Sequence, residues 1–464
     1  MWFRRDLRLA DHPALTAAAQ RGPVAGIFVI DPEFAAPAGP TRIAYLGATL
    51  FDLNYTTDGG VACRVGDPLD VLSVLAKELG ATEVFATADF GPKGRARDAR
   101  VQEGLAARGI ALHFVGTPYV VAPGTVVTKA GTPSKVFTPF RKYWELEPVP
   151  APLPVPQVQW VQVDGVGVTD LAKIGSTKRP DYFGDLPDDP APHMPAFGEN
   201  AAHGHLERFL TVVESYKEDR NFPALKATSK LSPFLRFGVI HPRQALAAAA
   251  GRSEGRAHFA SEIAWREFYA DVLVHHPDST WRVLQPAMDH LRVDRDDRAI
   301  ERFQTWARGE TGYPLVDAGM RQLLDEGWMH NRVRMVCASF LVKHLHLDWR
   351  WGAKWFMWRL VDGDLASNQH GWQWTARTGT DAAPYHRIFN PTLQAERFDP
   401  HGEYVRKYVS ELREVSAPAC LQPGGGEGLL APAGYPAPMI DAAVERDEAL
   451  ARFAEAREVA KAES

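Results

Sequence analysis

Over the first 115 or so residues, apolar positions fall in short continuous runs separated by Ala-rich stretches. VAGIFVID (24–31), VACRVG (61–66), EVFATAD (83–89) and ALHFVG (111–116) have the length of buried strands. Between them, LTAAAQ, DPLDVLSVLAKELG and KGRARDARVQEGLAARG carry a helical pattern, with Gly80 and Gly109 as expected C-caps of the latter two. This alternation predicts a doubly wound α/β domain on a parallel sheet over residues 1–120. MWFRRDLRL opens the chain abruptly, so the first strand is expected to begin late and be short. Neither G-x-G-x-x-G nor G-x-x-x-x-G-K-[ST] occurs in this domain, so any nucleotide there is held by other devices.

Residues 121–200 change character, with strand and turn signals in VVTKAGTPSKVFTPFRKYW. VPAPLPVPQVQ and LPDDPAPHMPAFGE are too Pro-rich for a helix or a central strand and predict an extended connector. From 201 to 464 the patterns are helical: HLERFLTVVESYKEDR, SPFLRFG, HPRQALAAAAG, FASEIAWREFYADVLV, GMRQLLDEG, NRVRMVCASFLVKHL, AKWFMWRLV and a charged final helix. Ser232-Pro233 reads as a cap residue followed by Pro at the first helical position. The fold class expected is therefore α/β plus all-α, in two domains joined by a long connector.

Composition narrows the class. A chain of 464 residues with 45% hydrophobic and 23% charged content is globular, and no apolar run approaches membrane-spanning length. Three distant cysteines (Cys63, Cys337, Cys420) have no metal-ligand spacing, so no metal site is expected and a reducing cytoplasm fits. A net charge of −5 excludes a wholly basic coat but not a local basic groove. Between Met320 and Leu360 seven basic residues face three acidic ones, and they are interleaved with aromatics. That suits phosphate neutralisation and base stacking, or else ordinary solvated helix faces. Seven of the 13 Trp lie between 328 and 374.

Four constellations could carry chemistry. DGDLASNQHGWQW (362–374) sets Asp362, Asp364 and Asn368 beside Trp372 and Trp374: acceptors and an amide for the edge of a flat heteroatom-rich ring, indoles for its face. Its alternative is a Trp-rich helix junction. Thr228, Ser229, Lys230, Leu231 and Ser232 form a helix start suited to an anion. Glu262, Trp265, Arg266 and Tyr269 share one helix face, as do Asn331, Arg334 and Met335, with Arg332 turned away. An i,i+4 Glu262–Arg266 pair is the plain alternative for the first face. Trp351, Trp355 and Trp358 form a stripe that suits a core as readily as an electron path.

Taken together, WFRRDLRLADHPAL, KVFTPFRKYW, TSKLSPFLRFG, WREFY, TGYPLVDAGMRQL, GWMHNRVRM, ASFLVKHL, DGDLASNQHGWQW, TGTDAAPYHRIFNPTLQ and YPAPMID resemble the photolyase/cryptochrome family, in its order and over essentially the whole chain. The likeness is greatest to microbial cyclobutane pyrimidine dimer photolyases. It implies a non-covalent FAD in the helical domain, whose reduced form donates an electron under blue light to split a dimer flipped out of DNA. Tyr216 and the 228–232 loop would hold its phosphates and sugars. Asp362, Gly363 and Asp364 would line its ring and ribityl chain, with Arg334 pairing Asp362 and Asn368 facing N5. Trp265 and Trp374 would wall the lesion pocket, with Glu262 and Asn331 on the dimer's edge and Met335 beside it. Arg220, Arg266, Tyr269, Arg332, Arg387 and Gln394 would complete the DNA contact.

The resemblance also implies reduction of the flavin through three Trp. Trp372 and Trp349 match the inner two, while the outermost position aligns with Asp296. Either another aromatic, such as Trp351 or Trp355, ends the path, or photoreduction is poor. Where folate-binding members carry Asn-Glu, this chain has Lys93-Gly94, so a deazaflavin or no antenna is expected rather than folate. Residues lacking ahead of Met1 would shorten the first strand. A monomer acting on UV-damaged DNA is expected. A cryptochrome-like photoreceptor without repair is the alternative, and His330-Asn331 in place of a His pair disfavours the (6-4) photoproduct as substrate.

Overall fold

A computed structural model of the protein describes residues 1–165, 171, 175–380, 388–422 and 434–463. Five short parallel strands form at the expected runs: β1 (Trp2–Phe3), β2 (Gly26–Ile30), β3 (Val61–Val65), β4 (Glu83–Ala86) and β5 (Ala111–Phe114). β1 pairs β2 (Trp2↔Ile27), β2 pairs β3 (Gly26↔Val61) and β4 pairs β5 (Glu83↔Ala111). With only two residues, β1 packs beside β4 without a ladder between them, so two hydrogen-bonded sheets lie edge to edge in the order 3-2-1, 4-5.

The crossover helices are α1 (Pro13–Ala19), α2 (Pro40–Thr56), α3 (Pro68–Leu79) and α4 (Pro92–Ala106), each with Pro in its first turn. Gly80 closes α3 in the left-handed conformation, as expected, whereas α4 ends at Ala106 with Ala107 as its C-cap, ahead of Gly109. Helix α2 was not among the helices the pattern indicated. It buries Thr41, Arg42 and Thr49 along with its apolar residues, because it lies between the α/β half and the helical half.

The connector folds back along the sheet, with the Trp160 segment bridged to Val24; where strand and turn signals were expected it forms α5 (Phe137–Trp144), which buries Phe140 and Trp144. The helices that matter for the site are α6 (Ser232–Phe237), α7 (Glu254–His275), α8 (Asp297–Arg308), α9 (Pro314–Glu326), α10 (Asn331–Lys343), α11 (Trp349–Arg359), α12 (Leu365–Ala376) and α13 (Pro391–Phe398). One core runs from Phe3 and Leu15 through Phe140 to Phe268 and Val361, so the two halves share apolar packing. A second, around Trp306, Trp355 and Trp372, is interior to the helical half.

Residues 5–11 are built into the helical half. Leu7 N donates to Phe237 O at 3.1 Å, the buried Arg8 guanidinium donates to Gly238 O at 2.9 Å, and Asp11 pairs Arg243. Gly238 sits at φ +66°, and a Cβ there would collide with the Arg5 carbonyl oxygen. Both left-handed strain and overpacking oppose any side chain at this position. Gly238→Ala is expected to lower stability by about 2–4 kcal/mol, read as a reduced midpoint in urea unfolding followed by far-UV circular dichroism.

Candidate functional site

Helix α12 organises the site. Its N-cap is Asp364, whose Oδ1 accepts from Ser367 N at 3.1 Å. Its other oxygen, Oδ2, accepts from Arg5 Nη2 at 2.6 Å, an ion pair 359 residues apart in sequence. Burial pushes the Asp364 carboxyl up, but Arg5, Arg236 and Arg266 outweigh it and hold the group well below the usual carboxylate range. Arg236 also donates to Gly363 O at 2.7 Å, which locks the turn between the two aspartates. Both oxygens of Asp364 are thus engaged. It orients the helix, and each oxygen keeps a second lone pair for a further donor.

Asp362 differs. Arg334 Nη2 donates to its Oδ2 at 2.8 Å, as the resemblance implied, while Oδ1 is buried without a partner. A buried carboxylate oxygen left unpaired is costly, so it marks a place where a bound donor completes the site. One turn into α12, Asn368 Nδ2 donates to Ala353 O at 3.0 Å and to Gln369 Oε1 at 2.8 Å, which leaves its carbonyl oxygen as the open end. An unpaired acceptor on Asp362 and an amide oxygen on Asn368 fit the N–H groups of a flavin ring. Trp372 is buried two turns along α12 and lies over Gly352 of α11, where a Cβ would strike the indole.

The 228–232 loop departs from expectation. Leu231, not Ser232, is the N-cap of α6, and no side-chain cap bond forms; Ser232 Oγ instead accepts from Trp328 Nε1 at 3.1 Å. Lys230, at φ +50°, lies 4.6 Å over the Trp328 ring and 3.8 Å from Glu326. Thr228 and Ser229 are half-buried, and Tyr216 is buried against Phe209 and Phe259 with Arg220 over its ring.

The expected DNA-facing residues divide. Glu262 pairs Arg220, two expected members brought together from different elements, and the i,i+4 pair with Arg266 does not form. Arg266 turns inward: it lies 4.4 Å over Tyr119 and donates to Pro118 O at 3.1 Å, so it serves the connector and Asp364 rather than an outer surface. Arg332 does not stay turned away from its neighbours but reaches Asn221 Oδ1 at 2.5 Å and Met335 Sδ at 3.9 Å, with its guanidinium over Phe398. Asn331 is exposed; Trp374 and Gln394 are half-buried. Arg387 lies outside the described residues.

Trp265 stacks on Phe137 with centroids 3.8 Å apart and planes 8° apart, and Tyr269 stacks on His370 at 5.7 Å. Phe137 stands on α5, which Glu267 ties to α7 by accepting from Trp144 Nε1 at 2.7 Å and from Val121 N at 3.1 Å. Burial raises the Glu267 carboxyl to about 7. Phe137, Arg5, Arg236 and Asn221 were not expected at the site. Arg5, Phe137 and Arg236 stand inside motifs that carry the resemblance, but nothing local to those motifs says what they touch.

Asp296, at the position of the missing outer Trp, is exposed and N-caps α8 through Ala299 N at 2.9 Å. Lys93 pairs Glu33 at 3.2 Å on the surface. Surface clefts of about 430 Å³ (Trp144, Val149, Arg243, Leu246) and 480 Å³ (Asn54, Arg64, Glu78) lie apart from the α12 site.

His330 N-caps α10, accepting from Arg332 N at 3.2 Å. Burial first, and then Arg220, Arg332, Arg334 and Lys230, bring its pKa down from 6.5 to about 3. The unfolded chain therefore takes up a proton near pH 6.5 that the folded protein refuses until about pH 3, so stability falls as pH drops through that window. His330→Asn keeps a capping acceptor without a titrating group. Its melting temperature is expected to fall less steeply than that of the wild type between pH 7.5 and 5, and equal slopes would contradict a neutral buried His330.

Comparison with known proteins bears on what this arrangement does. The family pattern described as "DNA photolyase" matches residues 1–157, and that described as "FAD binding domain of DNA photolyase" matches residues 259–455. The deoxyribodipyrimidine photo-lyase of Halobacterium salinarum is 38% identical, over 98% of each chain. A class III photolyase of Agrobacterium tumefaciens superposes with a TM-score of 0.88 at 36% identity, covering 98% of this chain and 97% of that one. An archaeal photolyase of Sulfolobus tokodaii, described with two FAD molecules and a novel light-harvesting cofactor, superposes with a TM-score of 0.82 at 26% identity, covering 98% and 99%.

Proposed function

Because this chain belongs to the DNA photolyase family, we infer that it is a light-dependent lyase that splits cyclobutane pyrimidine dimers in DNA with FAD as its cofactor. The observation that carries the reading is the α12 start, where Asp362 has one oxygen fixed by Arg334 and one left bare, close in sequence to the open amide oxygen of Asn368. Those two acceptors match the edge of a flavin ring. Bound FAD, once reduced, supplies under blue light the electron that opens the cyclobutane ring. Everything else falls to the protein.

In this reading Asp362 and Arg334 hold the ring edge, and Asn368, neutral and unable to take a full charge, accepts from N5–H. Asp364 fixes α12 and, with Gly363, lines the ring and ribityl chain. Tyr216 and the Thr228, Ser229, Lys230, Leu231 and Ser232 loop enclose the phosphate and sugar end. Trp265 and Trp374 clasp the flipped dimer, backed on the first side by Phe137. Glu262 and Asn331 bond its carbonyl and imide edge, and Met335 packs against it. Arg220, Arg332, Arg387, Tyr269 and Gln394 attend the strand around the lesion. The organisation is an α/β domain over 1–120, a connector over 121–200 and a cofactor- and lesion-binding unit over 201–464.

The second chromophore is a deazaflavin, or none is bound; Lys93-Gly94, with Lys93 engaged by Glu33, offers nothing in place of an Asn-Glu pair. The protein works as a monomer on UV-damaged DNA in the cytoplasm. Three buried free cysteines suit a reducing compartment, and among the described residues no helix is long and apolar enough to cross a membrane.

The direct test is restoration of a dimer-containing oligonucleotide by FAD-loaded, chemically reduced protein under blue light; its failure would overturn the reading. Glu262→Ala removes a partner of both the dimer and Arg220, so affinity for damaged DNA is expected to weaken about tenfold, equivalent to about 1–2 kcal/mol, with flavin content unchanged. Raising salt should weaken binding to damaged DNA by about 0.9 log units per log unit of salt for each phosphate neutralised, as read by fluorescence anisotropy. Asn368→Asp places a carboxylate at N5 and is expected to change the flavin's absorption during illumination. An unchanged spectrum would remove Asn368 from that position.

A further inference from the structure

Two acids on one face of α7 fasten the connector. Glu267, 2% exposed, accepts through Oε2 from Val121 N at 3.1 Å and from Trp144 Nε1 at 2.7 Å, and through Oε1 from Val120 N. One turn on, Asp271 Oδ1 accepts from Gly124 N at 2.7 Å. Trp144 ends α5 and Phe137 begins it, while on α7 Trp265 stands two residues ahead of Glu267. The two helices are therefore joined at both ends of α5. The Trp144–Glu267 bond holds one end, and the Phe137–Trp265 stack, with centroids 3.8 Å and planes 8° apart, holds the other. Phe140 of α5 meets Phe268 of α7 at 5.3 Å.

The stack decides what Trp265 can offer. With Phe137 flat on one face, the half-buried indole has its other face for a flipped base, and its orientation is set before the base arrives. A wall fixed in advance spares the ordering cost of binding. Resting on the reading of Trp265 as a wall of the lesion pocket, we propose that Glu267 is a positioning residue for lesion recognition: it holds α5 to α7 through Trp144 and the 120–121 backbone, and through α5 it keeps Phe137 on Trp265. Being buried, Glu267 acts through these contacts alone.

The same carboxyl makes the hold depend on pH. Burial outweighs the three N–H donors and the Arg266 charge, and raises the group from 4.5 to about 7. A clamp opened to water returns its carboxyl to the ordinary value. Between those two values the closed clamp keeps a proton that the open one gives up. Closure is therefore strongest in acid, weakens as pH rises toward 7 and is level above it. The neutral acid, protonated at Oε1, retains both bonds at Oε2. The other charged or titratable groups around Glu267 are Arg266, Asp271 and His275 on its own helix, Tyr119, whose ring lies under Arg266, and His241, whose Nε2 is 2.8 Å from Thr117 O. The buried residues of α5, Phe140 and Trp144, are neutral.

The test uses FAD-loaded protein and two readouts. Hydrogen exchange at the Val120 and Val121 amides, followed without DNA, reads the clamp. Corrected for intrinsic rates, wild-type protection is expected to fall by up to about tenfold per pH unit between about pH 5 and about pH 7 and then to level. Glu267→Gln, whose amide oxygen takes both Oε2 bonds and has no proton to lose, is expected to show no such slope. Fluorescence anisotropy at about pH 6.5, with an oligonucleotide carrying one cyclobutane dimer and the same strand undamaged, reads the lesion. The ratio of damaged to undamaged affinity is expected to fall about fivefold in Phe137→Ala and in Trp144→Phe, and to stay within about twofold of wild type in Glu267→Gln, with flavin content unchanged in all three. Equal exchange slopes in wild type and Glu267→Gln, or a full ratio in Phe137→Ala or Trp144→Phe, would overturn the proposal. A wild-type ratio of one would count against the reading of Trp265 as a lesion wall, while the exchange slopes still decide the clamp.

Discussion

The site depends on one half-buried ion pair. Asp364 caps α12 through Ser367 N and is held by Arg5 from the end of β1. Its enclosure disfavours the charged carboxylate, and Arg5, Arg236, Arg266 and the Ser367 N–H outweigh that and keep it ionised. Every candidate site residue on α12 follows that cap: Asn368 one turn on, Trp372 two turns on, and Trp374 beyond. The first strand of the α/β half therefore sets the geometry of the helical half. This accounts for the depth to which residues 5–11 are built into the junction, with a close backbone approach at Gly238 that admits no side chain.

Around that anchor the chemistry is divided by burial. Asp362, with one oxygen bare, and Asn368, with its carbonyl open, are groups a ring edge can use, while Asp364 and Arg266 also hold the scaffold together. The aromatic interior has the opposite character. Trp306, Trp355 and Trp372 pack with Phe303 and Phe356 in one buried cluster, with edge-to-face contacts between the rings. The connector is also more than a tether, since α5 places Phe137 flat on Trp265 and Tyr182 flat on Trp351 comes from the segment that follows.

The sequence by itself determined a great deal. Strand-length apolar runs against helical periods located β2 to β5, and the Pro-dense stretch marked the connector, because these signals are local and depend only on the 2.0 and 3.6 residue repeats. The ordered motifs implied the family and most of the site, including the Arg334–Asp362 pair that forms at 2.8 Å. What stayed hidden was whatever depends on a partner far along the chain. Helix α2 carries buried polar residues because it lies between the two halves, so its amphipathic pattern is blurred. Ser232 looked like a cap until Trp328, 96 residues on, took its hydroxyl. Arg266 looked like a DNA contact until Tyr119 and Asp364 drew it inward. Only the tertiary structure could supply Arg5 as the partner of Asp364 and Trp306 as the neighbour of Trp372. An ion pair across 359 residues and a ring contact between two helices leave no periodic trace in either segment; they exist only once packing has brought the segments together.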